Sequence, residues 1–124
     1  MKIFSFEPVG FEGQLVTVEV DIRRGIPALD IVGLPDGAVR EAGARVRSAI
    51  RNSGFDYSMD RILVNLAPAG LPKAGAAFDL SIAISILVAS AQLPLPREDI
   101  LALGELELSG AVREIGRASC RERV

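Results

Sequence analysis

Two groups of residues in this 124-residue chain could do chemistry. The first is the stretch LPKAGAAFDL, Leu71–Leu80. Pro72, Lys73, Gly75 and Ala77 stand there just ahead of Asp79 and a very apolar run. A proline, a lysine and small turn-forming residues before a buried helix are what an active-site loop can look like. The second group is Arg40, Arg45, Arg47 and Arg51. Guanidinium groups on one helix are candidates to touch DNA phosphates or a neighbouring subunit. The plainer alternative is a solvated helix face partly neutralised by Glu41. Four arginines are barely enough to hold DNA on a chain whose net charge is −2.

Other chemistry is excluded by composition. The chain has no histidine, so histidine metal sites and histidine bases are ruled out within it. Gly33, Gly37 and Gly43 do not form G-x-x-x-x-G-K-[ST], and that motif occurs nowhere in the sequence. Glu19, Asp21, Asp30 and Glu105 have the spacing of exposed strand faces, with Asp30 the one that could turn inward, and receive no role. Apolar residues make up 49% and charged residues 24%, which places the chain among ordinary globular domains. The single cysteine allows no internal disulfide, which suits a reducing cytoplasm. The N-terminus lacks the apolar core of a signal peptide, and LSIAISILVASAQL is too short to span a bilayer, so no membrane contact is expected.

The elements that must position these residues follow from periodicity. Gln14–Ile22 alternates strictly, with Val16, Val18, Val20 and Ile22 on one face and Thr17, Glu19 and Asp21 on the other. That is a half-buried strand. Ala28–Leu34 reads as a short second strand, making a hairpin with the first through RRGIP. A helix is expected next, capped by Asp36, striped by Val39, Ala42, Val46, Ala49 and Ile50, and ended by Gly54 in a left-handed conformation. Arg61–Pro68 is a third strand. Asp79–Ser90 is a helix apolar nearly all round, hence buried on several sides, with Asp79 capping it or favouring its positive end. ILALGELELSGAVRE reads as two short strands turning at Ser109–Gly110. The whole is a two-layer α+β domain, a mixed sheet packed by two helices.

The last ten residues, IGRASCRERV, change character abruptly and hold Cys120, the only cysteine. They translate DNA resembling a common library adapter. Residues 115–124 are therefore read as a sequencing artefact and residues 1–114 as the domain, C-terminally truncated; the plainer alternative is a genuine basic C-terminal tail. The natural protein is expected to continue beyond Glu114.

Three stretches carry a family likeness: VEVDIRRGIPALDIVGLPDGAVREAGARVRSAIRNSGF, RILVNLAPAGLPKAGAAFDLSIAISILVAS and LGELELSGAVRE. They resemble the N-terminal domain of the magnesium-chelatase-like AAA+ proteins of the YifB and ComM group. The resemblance implies a Lon-protease-like domain of the ribosomal-protein-type β/α fold. It also implies a hexameric AAA+ ATPase module downstream, where ATP and magnesium would bind. No cofactor is expected in the fragment itself. ComM-type members are linked to natural transformation as DNA helicases acting on branched DNA. The implied partners are the chain's own AAA+ module, neighbouring subunits of a hexamer and, through the parent, DNA.

The likeness also bears on the first group of residues. Lon-type proteases carry P-K-D-G-P-S-A-G in this loop, with the serine as nucleophile. Pro72, Lys73 and Gly75 match that pattern, and the serine position falls on Ala77. Alanine has no nucleophilic atom. The family's catalytic lysine would fall on or near Ser119, and no lysine follows Lys73. Ser81 and Ser85 read as helix serines bonding backbone carbonyls. The loop is thus expected to be a degenerate protease-like turn that packs Phe78 into the core. The leading expectation is a non-catalytic module of a DNA-remodelling ATPase. A stand-alone interaction or regulatory module is the alternative. An active Ser–Lys peptidase and a porphyrin-binding chelatase subunit rank below it.

Overall fold

The computed structural model describes residues 3–9, 12–57, 60–95 and 97–113. The C-terminal segment read as an adapter, with Ser119 and Cys120, lies outside the described residues.

Five strands form one mixed sheet: β1 (Ile3–Val9), β2 (Glu12–Arg23), β3 (Ala28–Val32), β4 (Arg61–Ala67) and β5 (Ile100–Leu101), in the order β3-β4-β2-β1-β5. The alternation of β2 does what a period of two requires. Val16 and Val18 are buried while Glu19 and Asp21 are exposed. Antiparallel pairing with β4 sets Val18 opposite Leu66, Val20 opposite Val64 and Ile22 opposite Ile62. Each pair therefore puts apolar side chains on the same covered face.

Helices α1 (Gly37–Arg40), α2 (Ala42–Asn52) and α3 (Asp79–Ala89) supply the second layer. Val39, Ala42, Val46, Ala49 and Ile50 are all buried, as their spacing predicts. Ile82, Ala83, Ile86 and Leu87 of α3 are buried too, because that helix meets β1 and β2, α2 and the strand β6 (Glu105–Leu106). β6 pairs antiparallel with β7 (Val112–Arg113), across the turn expected at Ser109–Gly110. The result is the α+β domain anticipated, in keeping with a Lon-like N-terminal domain.

Three details differ from expectation. β2 and β3 are not a hairpin: β4 lies between them, antiparallel to β2 and parallel to β3. The parallel pair needs a crossover, and α1 and α2 provide it. The expected single helix is interrupted at Glu41. Arg45 Nη2 donates to the Ala38 carbonyl there at 2.8 Å, and Ala44 N–H bonds Glu41 only three residues back at 3.1 Å. Finally, Ile3–Val9 forms a full strand against β2 although Pro8 interrupts its pattern.

Candidate functional site

The loop between β4 and α3 is fastened at each point where chemistry was sought. Lys73 is fully buried. Its Nζ donates to the Gly33 carbonyl at 2.6 Å and to the Pro68 carbonyl. Burial pulls its pKa down, and the nearby Glu7 carboxylate opposes that shift. The Lys73 backbone bridges the chain ahead of α1: its N–H donates to Leu34 and its carbonyl accepts from Asp36, both at 2.9 Å. Gly33 permits this approach. Its φ is +108°, and a Cβ there would stand 2.1 Å from the Leu66 carbonyl oxygen.

Asp36 caps α1 as expected, accepting from Val39 N–H at 2.8 Å. Its other oxygen accepts from Gly75 N–H at 3.3 Å. Glu7 accepts from Ala74 N–H at 3.1 Å. Pro72 is exposed, and Gly75 takes φ +86°. Ala77, which the resemblance aligns with the protease serine, carries only a methyl group, and its carbonyl accepts from Gly104 N–H at 3.0 Å. Phe78 is buried in the core. Ser81 Oγ donates to the Phe78 carbonyl at 2.9 Å, the backbone bond anticipated for it. Ser85 Oγ has no hydrogen-bond partner among the described residues. Lys73 Nζ is held by two carbonyls, and Ala77 has no hydroxyl to be activated.

The four arginines do not act as one set. Arg40, Arg47 and Arg51 are exposed and line a single groove of about 320 Å³, floored by Leu29, Gly43 and Ala44. Arg45 turns away from that groove. Its Nε and Nη2 donate to Asp79 Oδ2 and Oδ1 at 2.6 and 3.0 Å. Glu41 stands 3.6 Å from its Nη1. This corrects the expected role of Arg45, whose side chain is only 20% exposed. For Asp79 half of the expectation holds: it is the acid in the first turn of α3, at the helix's positive end, but it does not cap it. No side-chain cap bond forms at the start of α3, and the Asp79 carboxylate accepts from Arg45 and from Leu106 N–H at 3.0 Å. Burial pushes its pKa up, while Arg45 and the Leu106 N–H pull it back.

Tyr57 joins the groove, a residue the sequence reading did not single out. It is half-buried, and the Arg51 guanidinium carbon lies 5.9 Å from its ring centroid. Its sequence signal is slight: it is the only tyrosine, six positions beyond Arg51. Asp60 is the one acidic residue lining the groove. Of the remaining carboxylates, Glu19 accepts from Asn65, Asp21 pairs with Arg23, and Asp30 is exposed and pairs with Arg61 rather than turning inward. Among the described residues no helix is long and apolar enough to cross a membrane.

Comparison with known proteins agrees with this architecture. The family model described as Subunit ChlI of Mg-chelatase matches residues 18–120. The chain is 51% identical over 108 residues to the uncharacterized protein YifB of Escherichia coli, covering 86% of this chain and 21% of that protein. It is 46% identical over 114 residues to the competence protein ComM of Haemophilus influenzae, covering 91% of this chain and 22% of that one. A Lon protease of Solibacter usitatus is 28% identical over 111 residues, which are 84% of this chain and 14% of the protease. The chain thus spans about a fifth of the length of its YifB and ComM relatives. With matched residues running from β2 through both long helices to β7, the chain belongs to the magnesium-chelatase ChlI subunit family.

Proposed function

We propose that this chain is the non-catalytic N-terminal module of a magnesium-chelatase-like AAA+ ATPase of the ComM and YifB kind. The parent would be a cytoplasmic, ATP-dependent DNA helicase or branch-migration factor in natural transformation. ATP and magnesium would bind in the module that follows. One observation carries the non-catalytic part. Lys73 is enclosed by the Gly33 and Pro68 carbonyls, and by the resemblance to Lon-type proteases Ala77 stands where their nucleophilic serine would fall. A protease-like shell with that chemistry missing is suited to assembly. Its partners would be the parent's own ATPase module and neighbouring subunits of a hexamer. The exposed arginines Arg40, Arg47 and Arg51 are the contact that it offers. The relative named a competence protein supports the DNA-uptake setting.

The test is to delete residues 1–113 from the full-length protein. ATP hydrolysis per subunit should persist, while hexamer formation and branch migration of a synthetic four-way junction fall by at least tenfold. Unchanged assembly and branch migration would overturn the proposal. So would casein hydrolysis by the full-length protein that disappears with the deletion.

A further inference from the structure

We propose that the groove between α2 and the start of β3 binds a nucleoside phosphate, with the phosphate on Arg47, Arg51 and Arg40 and the base against Tyr57. The proposal deepens the reading that these arginines make a contact, because it names the chemistry of what they hold.

Four observations carry it. First, three guanidinium groups meet one lining carboxylate, Asp60, so the groove is a local positive site on an acidic chain. Second, no ion pair between described residues involves Arg40, Arg47 or Arg51, whereas Arg23 and Arg61 each meet one carboxylate and Arg45 meets two. Guanidinium forks without an internal acid suit a phosphate, which they can hold through two parallel hydrogen bonds. Third, Tyr57 is the aromatic wall of the same groove, with the Arg51 guanidinium beside its ring. A flat ring and a flat cation together form the platform on which nucleobases stack. Fourth, the volume of about 320 Å³ lies at the small end of the range for ligand sites.

The floor is built to admit such a ligand. Gly43 and Ala44 leave the α2 surface low between Arg40 and Arg47. Gly43 is already in contact range of Leu29, since a Cβ there would stand 2.6 Å from Leu29 Cδ2. A larger residue at position 43 would therefore displace the Leu29 side chain that floors the groove. The arginines crown the groove from exposed positions, so replacing them leaves the core untouched.

A nucleoside phosphate could arrive as a free nucleotide or as one unit of a single strand. The experiment uses the full-length protein and two photoprobes. One is 8-azidoadenosine 5′-monophosphate, and the other is a deoxythymidine 15-mer carrying one 5-iododeoxyuridine. After irradiation, cross-linked peptides are mapped by mass spectrometry. The expected result is a cross-link in the peptide that contains Tyr57. Its yield should drop at least tenfold in R47A/R51A and in Y57L, with circular dichroism unchanged. Labelling by the oligonucleotide alone assigns the groove to a strand, and labelling by the monophosphate that excess AMP suppresses assigns it to a free nucleotide. Absence of a cross-link there with both probes overturns the proposal. So does an undiminished yield in R47A/R51A. Loss of the hexamer in R47A/R51A without any cross-link in wild type would overturn it in favour of a subunit interface. The deletion test above reads assembly and branch migration, so failure of one reading is distinguishable from failure of the other.

Discussion

Arg45 and Asp79, 34 residues apart, join α2 to α3 through two hydrogen bonds of 2.6 and 3.0 Å, and the carboxylate is fully buried. Asp79 also accepts from Leu106 N–H, so one carboxylate ties together α2, α3 and β6. R45A leaves the buried Asp79 charge without its cation, and D79A leaves the Leu106 N–H and the Arg45 guanidinium, still 3.6 Å from Glu41, without their buried acceptor. D79A and R45A should each destabilise the domain by about 3–5 kcal/mol. The double variant R45A/D79A should cost well under the sum of the two, because no lone buried charge remains. Urea unfolding of the three variants gives the coupling directly. Additive effects would show that the pair is not a unit.

Restoring a hydroxyl at the nucleophile position should not restore proteolysis. In A77S the new Oγ would meet a lysine whose Nζ is already held by the Gly33 and Pro68 carbonyls. Fluorogenic casein incubated with A77S should be cleaved no faster than with wild type. A rate ten times the wild-type background would mean that the lysine can leave its carbonyls.

Tyr57 offers a pH readout, because the chain has one tyrosine and no tryptophan. Burial raises the phenol's pKa above its usual value, and Arg47 and Arg51 pull it down. The folded phenol therefore holds its proton more tightly than the unfolded one. Its contribution to stability is present below the ordinary phenol range and is lost as pH rises through the folded pKa. R47A/R51A removes the two cations, so the ultraviolet titration of Tyr57 should move to still higher pH. A shift downward would contradict the placement of these arginines around the ring.

Gly33 should tolerate no side chain. G33A meets both a positive φ and the Leu66 carbonyl at 2.1 Å. The loss should exceed the ~1 kcal/mol typical of a glycine replaced at positive φ, because the backbone must also move. It should also release Lys73, whose Nζ bonds the Gly33 carbonyl. Thermal unfolding measures the first effect, and labelling of Lys73 by an amine-reactive reagent measures the second.

Much of this molecule was legible from side-chain period alone. The valines of β2, the stripe of α2 and the apolar α3 each ended on the buried side, because a strand repeats every two residues and a helix every 3.6 whatever lies next to it. The Asp36 cap and the Ser109–Gly110 turn were legible for a similar reason: each is settled within four residues.

Whatever depended on a distant partner was not legible. Alternation says which face of β2 is buried but not which strand adjoins it, and β4 took the place expected for β3. Helical spacing places Arg45 near Arg47 and Arg51, yet its long side chain reaches a carboxylate 34 residues away. Lys73 looked like an available amine until the fold enclosed it between two carbonyls. Tyr57 carried no local pattern, and only the packing of the loop after α2 brought it beside Arg51. Local sequence sets the periodicity of each element, whereas the choice of partner comes from long-range burial and charge pairing, which exist only once the chain has closed on itself.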